Sequence, residues 1–348
     1  MLRGSWSEAF RAPNLITINE EIVARNNTRT DWLCQYLKDT VGDPDGELDS
    51  NCRYSMQRRA SGSKDLDPEK SNNSSIGIVL TPLSNLTLTL DFWKIKKDDT
   101  IGLFGEENHT LLDLVFRVDN GLANCDSFAG NPALGRLEAE EGATPLFLEA
   151  GICPTGEVDF VNDRYANLDT RTVKGYDFGV YYDISTGIGD WTFTWVGSIY
   201  TKYDQVGGSL ADIIEEAQSS GMIPSNYPID GLGDLIRKDG NQEKKMNARV
   251  RWLKDGWGAS LAWFYLGDFY QSALTLEDGT QWVVPSYTYW NGSVDYNFDI
   301  GRTNTRVRFG INNLTNERAP LADRWYGFFS DAHRDYGRSY YLDVKFMF

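Results

Sequence analysis

The amino-acid sequence predicts an all-β protein, an antiparallel transmembrane β-barrel of about ten strands with long extracellular loops. Trp, Tyr and Phe make up 13% of a chain whose mean hydropathy is only −0.44. Apolar and polar residues alternate with a period of two, and short turns alternate with long connections. A membrane barrel combines these features, because aromatic rings form its interfacial girdles while every second strand residue faces a wet lumen.

Composition excludes several other classes. No segment approaches the run of roughly 20 apolar residues that a membrane helix requires, which excludes a helical membrane protein. The opening residues, MLRGSWSE, have no apolar core and no small-residue cleavage site, so a secretory signal is expected upstream of the chain. The net charge of −16 and the isoelectric point of about 4.6 disfavour a nucleic-acid partner, since such binding begins with the neutralisation of phosphates.

The final strand shows the alternation most clearly. One face carries the apolar residues Tyr340, Leu342, Val344, Phe346 and Phe348. The opposite face carries Ser339, Tyr341, Asp343, Lys345 and Met347. In a soluble core Asp343 and Lys345 would be costly unless they were paired, whereas a wet lumen solvates both. The first face is therefore predicted to contact lipid and the second to line the lumen.

The same alternation recurs upstream and predicts the other strands of the sheet. It occupies residues 1–10, 76–80, 86–92, 176–184, 191–199, 246–252, 257–265, 290–298 and 307–311. Several of these segments approach the roughly 9 to 11 residues that a tilted membrane strand needs. The Asp255-Gly256 dipeptide between two of them is a strong hairpin signal.

The connections between these segments alternate strictly in length. Short turns lie near residues 82–85, 185–189, 254–256 and 299–303. Long segments lie near residues 11–72, 98–169, 204–241, 271–285 and 314–335. Bacterial barrels alternate short periplasmic turns with long extracellular loops in this way. The long segments are expected to lack regular structure, apart from a short helix over Leu210 to Ala217, where apolar residues recur at helical spacing.

Several motifs resemble those of the TonB-dependent receptors. Residues 3–15, RGSWSEAFRAPNL, look like that family's motif at the start of an extracellular loop. Residues 65–71, DLDPEKS, are similar to its LxPExS motif at the beginning of the next strand. Residues 175–178, GYDF, residues 309–316, FGINNLTN, and the terminal Phe348 match further barrel signatures. In this order the motifs span essentially the whole chain.

The resemblance implies that residues 1–348 are the C-terminal part of a barrel domain of roughly 22 strands, without the plug domain, the TonB box and the signal peptide. The chain is then expected to supply the wall and the extracellular ligand-binding loops of an outer-membrane receptor for active uptake of a scarce nutrient. That nutrient is a ferric siderophore, cobalamin, a carbohydrate or a peptide. The resemblance implies neither an enzyme nor a cofactor.

The same resemblance implies a set of partners. They are outer-membrane lipid, a small-molecule or oligomeric nutrient ligand, the TonB energy-transducing complex acting through the plug, and the barrel assembly machinery. Phe348 and Phe346 resemble the signal that the assembly machinery reads.

Two other classes of protein remain open. A self-contained small outer-membrane pore or adhesin would have to close about ten strands on themselves, because unpaired backbone groups cannot face hydrocarbon. A secreted β-rich carbohydrate-active enzyme would need a carboxylate pair in a cleft. The strands alternate apolar residues on a predicted lipid face with charged residues on a predicted lumenal face, and this pattern argues against the enzyme.

The four cysteines form two separated pairs, Cys34 with Cys52 and Cys125 with Cys153. Neither pair has the close spacing of a zinc or redox motif, so both are predicted loop disulfides, with unpaired buried thiols as the alternative. The two histidines, His109 and His333, fall in predicted loops and are interpreted as satisfied or solvated residues without a catalytic role.

Three loop features bear on ligands. Residues 43–49, DPDGELD, offer oxygen ligands for Ca²⁺ but lack the complete calcium-loop pattern, so an acidic turn is favoured. Residues 98–169 carry fifteen carboxylates and three arginines, which is interpreted as a solvated face that disfavours strongly anionic ligands. Aromatic loop residues are predicted to stack on sugar or catechol rings, with girdle or loop packing as the alternative. These candidate ligand residues are Trp282, Trp325, Tyr326, Phe328 and Phe329.

Overall fold

A computed structural model describes residues 1–49, 52–123, 125, 130–276, 279–301, 303–324 and 326–347. Its elements, in chain order, are β1 (Leu2–Arg11), α1 (Leu15–Asn19), β2 (Val23–Thr30), α2 (Trp32–Thr40), β3 (Arg53–Ser61), β4 (Glu69–Leu83), β5 (Leu86–Asp98), β6 (Ile101–Gly102), α3 (Glu106–Asn120), β7 (Leu134–Arg136), α4 (Thr144–Glu149), β8 (Val158–Arg164), β9 (Ala166–Asn167), β10 (Arg171–Thr186), β11 (Gly189–Gln205), α5 (Ser209–Ser219), β12 (Gly233–Asp234), β13 (Lys244–Lys254), β14 (Trp257–Leu266), β15 (Phe269–Thr275), β16 (Gln281–Val284), β17 (Tyr287–Ile300), β18 (Thr303–Asn312) and β19 (Ser339–Met347).

Ten long strands form one antiparallel sheet in the order β1-β4-β5-β10-β11-β13-β14-β17-β18-β19, and the short β12 pairs with β11 as an eleventh strand. This confirms the prediction of an all-β antiparallel sheet of about ten membrane-length strands. The long strands follow the chain order across the sheet, as in a meander. Within the described residues β1 and β19 do not pair with each other, so the sheet does not close into a complete barrel.

The register places the apolar residues of successive strands on one face of the sheet. Val294 lies opposite Phe309, and Phe309 lies opposite Leu342. All three side chains are exposed. Arg308 and Asp343, which alternate with these residues, lie opposite each other on the other face. The predicted apolar and polar faces are therefore confirmed, because a period of two assigns every residue to a face once the register is set.

Turns of two residues connect β4 to β5, β10 to β11, β13 to β14 and β17 to β18. Between β13 and β14, Asp255 and Gly256 have φ angles of 50° and 84°. A type I′ turn requires positive φ at both central residues, and Asp-Gly meets that requirement at low steric cost. The four short turns lie where the sequence predicts them.

The expectation that the long connections lack regular structure was wrong for four of the five, and only the connection from β18 to β19 has no helix or strand in its described residues. The first two form a second sheet in the order β2-β3-β8-β7, in which β3 and β8 pair in parallel, Gln57 opposite Phe160. They also contain the helices α2 and α3, and the third connection contains α5, the helix expected over Leu210 to Ala217. No described helix is long and apolar enough to cross a membrane.

Candidate functional site

Three long connections fold into one unit, the cap, which comprises the described residues of 12–68, 99–170 and 206–232. Its core joins a helix from each connection. The fully buried side chains that belong to this single hydrophobic cluster include Leu33 and Leu37 of α2, Leu111 and Leu114 of α3, and Ile214 of α5. Burial of each such side chain contributes roughly 1.5–3 kcal/mol. The three connections are therefore expected to behave as one body rather than as independent loops.

A buried ion network centred on Arg136 joins two of these connections. Its guanidinium donates to both carboxylate oxygens of Asp31 at 2.7 Å and to Asp113 Oδ2 at 2.8 Å. Asp113 also accepts a hydrogen bond from Arg117 at 2.9 Å. The Tyr54 hydroxyl donates to Asp31 at 2.7 Å. A bidentate arginine–carboxylate pair of this kind is both strong and directional.

The electrostatics of this network favour its ionised form. Burial opposes ionisation of Asp31, but the Arg136 guanidinium, together with hydrogen bonds from Tyr54 and the Leu33 backbone, holds the pKa of that carboxyl below its usual range. Burial likewise opposes the charge on Arg136, but Asp31 and Asp113 raise the pKa of the guanidinium above its ordinary value. Burial and the Asp31 charge raise the pKa of the Tyr54 hydroxyl. Groups held so firmly in one protonation state suit a structural role rather than proton transfer.

Both predicted disulfides lie in the cap. Cys34 of α2 is bonded to Cys52, immediately before β3, at a sequence separation of 18. Cys125 is bonded to Cys153 at a separation of 28. Such cross-links stabilise a fold largely by restricting the unfolded chain. They add to the cap's hydrophobic core and its ion network.

A second cluster, the loop cluster, lies where the connection from β14 to β17 meets the connection from β18 to β19. Phe269, Val284 and Phe329 are buried in it, and Trp282 packs against them. The Trp282 indole N–H donates to the Leu321 carbonyl at 3.1 Å. The two connections are thus packed together through their aromatic residues.

The candidate ligand residues separate into two groups. Trp282 and Phe329 belong to the loop cluster, where Phe329 is only 5% exposed. Tyr326 is 69% exposed and Phe328 is half-buried, with their ring centroids 6.3 Å apart. Trp325 lies outside the described residues. The structure therefore brings Tyr326 and Phe328 together at the surface.

Tyr326 and Phe328 line a cavity of about 390 Å³ whose other walls include Lys245, Arg324 and Asp331. The Arg324 guanidinium lies 4.3 Å from the centroid of the Phe329 ring, within the range of a cation–π contact. Rings, cations and a carboxylate in one cavity offer stacking and charge-assisted hydrogen bonds. Such a set of groups is suited to contact with a ligand.

The polar face of the sheet carries ion pairs that cross from strand to strand. The Asp295 carboxylate, buried on β17, lies 3.4 Å from Arg251 of β13 and 3.4 Å from Arg308 of β18. Arg306 of β18 pairs with Asp343 of β19 at 3.4 Å. A buried carboxylate requires such partners, because an unpaired charge is costly to desolvate. Charge is therefore concentrated on the face that was predicted to line the lumen.

The two histidines are buried rather than solvated. The ring of His109, in α3, lies with Nδ1 3.2 Å from the Asn131 side-chain nitrogen and Nε2 3.5 Å from Asp163. The His333 ring stacks on Phe269 at a centroid distance of 5.7 Å. Burial and the nearby Lys245 charge lower the pKa of His333 to about 4, so the ring is neutral at neutral pH.

Residues 43–49 form the favoured acidic turn. The Asp43 carboxylate accepts hydrogen bonds from the backbone N–H groups of Glu47 and Leu48 at 2.8 and 3.2 Å. Over the part of the chain that the structure describes, no three His, Cys, Asp or Glu side chains form a group that could hold a metal ion.

The acidic segment 98–169 is not simply a solvated face, and that interpretation was wrong for three of its carboxylates. Glu106, Asp113 and Asp163 are at most 5% exposed. Arg58 contacts two of them, at 3.7 Å from Glu106 and 3.0 Å from Asp163. These carboxylates hold the cap together, so the charge count of the segment overstates the field that a ligand would meet.

Comparison with known proteins assigns the chain to a family. The family model described as TonB dependent receptor-like, beta-barrel matches residues 1–314. The chain belongs to the TonB-dependent receptor β-barrel family. Barrels of this family lie in the outer membrane of Gram-negative bacteria, and its members are transport receptors rather than enzymes. A comparison with curated proteins finds none that matches the chain.

Solved structures share the fold. The siderophore receptor PirA from Acinetobacter baumannii is 16% identical, with a TM-score of 0.53 over 99% of this chain and 38% of that one. A variant of the ferric enterobactin receptor PfeA from Pseudomonas aeruginosa, bound to enterobactin, is 13% identical, with a TM-score of 0.55 and the same coverage. The chain thus spans less than half the length of the receptors it resembles.

Proposed function

We propose that this chain supplies the wall and the extracellular ligand-binding loops of an outer-membrane receptor that takes up a scarce nutrient with energy from TonB. The observation that carries the proposal is a sheet with one apolar exposed face and one charged face, whose folded loops lie at one end only. An antiparallel wall that faces lipid outside and water inside is the arrangement of outer-membrane barrels.

The proposal assigns the plug, the TonB box and the signal peptide to sequence outside residues 1–348. This assignment is supported by the comparison with receptors that share the fold, because the chain covers only 38% of their length. The TonB complex would act through that plug, and lipid would cover the apolar face. Phe346 and Phe348 would be read by the barrel assembly machinery. Phe346 is exposed on the apolar face, whereas Phe348 lies outside the described residues.

Within this receptor, Tyr326 and Phe328 are proposed to stack on the ligand, and Trp282 and Phe329 to hold the surrounding loops in place. Their exposure and their packing support this division. The proposed nutrient is a ferric siderophore, cobalamin, a carbohydrate or a peptide, since rings and cations in one cavity suit sugars and aromatic chelators alike.

Uptake measurements test the function. Cells that carry the receptor are given, in turn, a labelled siderophore, cobalamin, an oligosaccharide or a peptide, with and without TonB. Uptake of one of them should require both receptor and TonB. Tyr326→Ala and Phe328→Ala should each weaken binding by up to about tenfold, because one aromatic contact contributes roughly 0.5–1.5 kcal/mol. Tyr336→Ala, at a residue that is 87% exposed, is the control. Uptake that does not need TonB would instead favour the small pore.

A further inference from the structure

The apolar face of the sheet contains a groove of about 600 Å³ that runs across strands β13, β14, β17 and β18. Small residues, Ala259 and Gly292, lie beside the large side chains of Trp252, Leu261 and Phe309 in its lining. The register places them together, because Leu261 lies opposite Gly292 and Trp252 lies opposite Ala259. The groove therefore forms where small side chains interrupt a surface of large ones.

Leu314 closes one end of the groove. A Cβ atom at Gly292 would lie 3.0 Å from Leu314 Cδ1, so the leucine side chain lies over the glycine. The Leu314 backbone N–H donates to the Trp290 carbonyl at 2.7 Å, which places this end at the level of Trp290. On β17 the groove is lined by Gly292 to Val294, which span about 7 Å of strand. Because membrane strands are tilted, the groove occupies only part of one leaflet, half of the roughly 30 Å hydrocarbon core, and extends mainly across the strands.

A cation lies beyond the other end of the groove. Lys254 is two residues after Trp252 on the same face of β13, next to the short turn, and its side chain is exposed. Its ammonium donates to the Gly187 carbonyl at 2.9 Å, and the Trp252 indole N–H donates to the Ile188 carbonyl at 2.7 Å. A lysine ammonium has three donors, so this bond leaves donors for an anion. Tryptophan and lysine at the end of a membrane strand are typical of the headgroup level.

We propose that this groove binds one acyl chain of a glycerophospholipid whose phosphate is held by Lys254, in the leaflet on the side of the short turns. The occupant follows from two observations. The groove lies on the face that lipid covers, and on the side of the short turns it has a cation for a phosphate. The site is independent of the nutrient cavity, which lies among the loops.

Photocrosslinking tests the acyl-chain part of the site. The receptor is placed in nanodiscs that contain phosphatidylglycerol with a diazirine in the acyl chain, and crosslinks are mapped by mass spectrometry. They should concentrate at Leu261 and Val294. Ala259→Phe fills the groove and should remove most of these crosslinks. Ala248→Phe adds the same ring to the same face, opposite Trp195 and Trp263, and should not. Crosslinks spread evenly over the apolar face, or equally preserved in both variants, would overturn the proposal.

Lipid retention tests the phosphate contact. This second test does not require the Ala259→Phe variant to assemble. Native mass spectrometry counts phosphatidylglycerol carried through purification. Lys254→Ala should retain it about fivefold less, the effect of one lysine near a membrane surface. Lys345→Ala removes the same charge from the polar face and should retain it like the parent receptor. Excess inorganic phosphate should not displace the lipid. Equal retention by the two lysine variants, or displacement by phosphate alone, would overturn the proposal.

Discussion

At the scale of single residues, Arg136 and its partners Asp31 and Asp113 have side chains that are at most 5% exposed. Arg136→Leu is expected to destabilise the cap by about 3–5 kcal/mol, because it leaves two buried carboxylates without the guanidinium. The measurement is the urea concentration at which a protease cuts the cap in intact outer membranes, while heat-modifiable mobility reports the barrel.

An exposed ion pair provides the matched control for this prediction. Arg164 lies 3.6 Å from Asp65, and their side chains are 57% and 83% exposed. Because water screens such a pair, Arg164→Ala should cost no more than about 1 kcal/mol. If both arginine variants shifted the protease midpoint equally, the ion network would not be what stabilises the cap.

The burial of His333 predicts that the stability of the connection from β18 to β19 depends on pH. The pKa of His333 in the folded loop is about 4, against an ordinary value of 6.5, because burial and Lys245 disfavour the imidazolium. When the connection from β18 to β19 is not packed in the loop cluster, His333 has its ordinary pKa and binds more protons between pH 4 and 6.5. The packing of this connection is therefore fully stable above pH 6.5 and weakens as the pH falls towards 4. The total loss is at most about 3 kcal/mol.

Hydrogen exchange in the connection from β18 to β19 measures this effect, after correction for the intrinsic pH dependence of exchange. Exchange should accelerate from pH 7 to 4 in the parent protein and much less in His333→Phe, whose ring does not titrate. Asp335, in the same connection, titrates mostly below this pH range. Its hydrogen bond with Arg318 lowers its pKa from the ordinary 3.8 to about 2, so its contribution to stability is lost as the pH falls from about 3.8 to 2. If exchange accelerated equally in parent and variant, His333 would not be the group that makes the packing of this connection depend on pH.

At the scale of elements, the final strand β19 separates lipid-facing from lumen-facing positions. Val344 pairs with Val307 on the apolar face, and Lys345 pairs with Arg306 on the polar face. Val344→Arg should reduce the stability of the assembled barrel by about 2–4 kcal/mol near the bilayer midplane, whereas Lys345→Arg should cost little. Urea titration of the folded fraction on gels measures the difference. Equal tolerance at both positions would contradict the register.

Elements in the wall could be predicted from the sequence more completely than elements in the cap. Strands such as β13 alternate apolar and polar residues along most of their length, so a local pattern is sufficient. Helix α3 carries Leu111, Leu114 and Val115 at helical spacing, a local signal that sequence reasoning missed. Pairing of β3 with β8 depends on residues far apart in the chain, which no local pattern reports.

The candidate site was also predictable only in part, because some of its contacts join residues far apart in the chain. Tyr326 and Phe328 were predictable as loop aromatics, but the burial of Phe329 depends on Phe269 from another connection. Sequence reasoning also missed Arg136. The signal was present, since Arg136 is one of only three arginines among fifteen carboxylates in residues 98–169. A cation so outnumbered is a good candidate for a buried ion network, because buried carboxylates need partners.

At the scale of the whole molecule, the proposed function requires that the sheet cross the outer membrane with the cap outside and the short turns in the periplasm. A membrane-impermeant thiol reagent, applied to intact cells that express the receptor, tests this most directly. Single cysteines are introduced at Ser220 and Leu321 in the long connections, and at Asp255 and Asp299 at the short turns. The first two positions should be labelled in intact cells, and the last two only after the outer membrane is permeabilised. Labelling of the turn positions in intact cells, with protection of Ser220 and Leu321, would contradict this orientation.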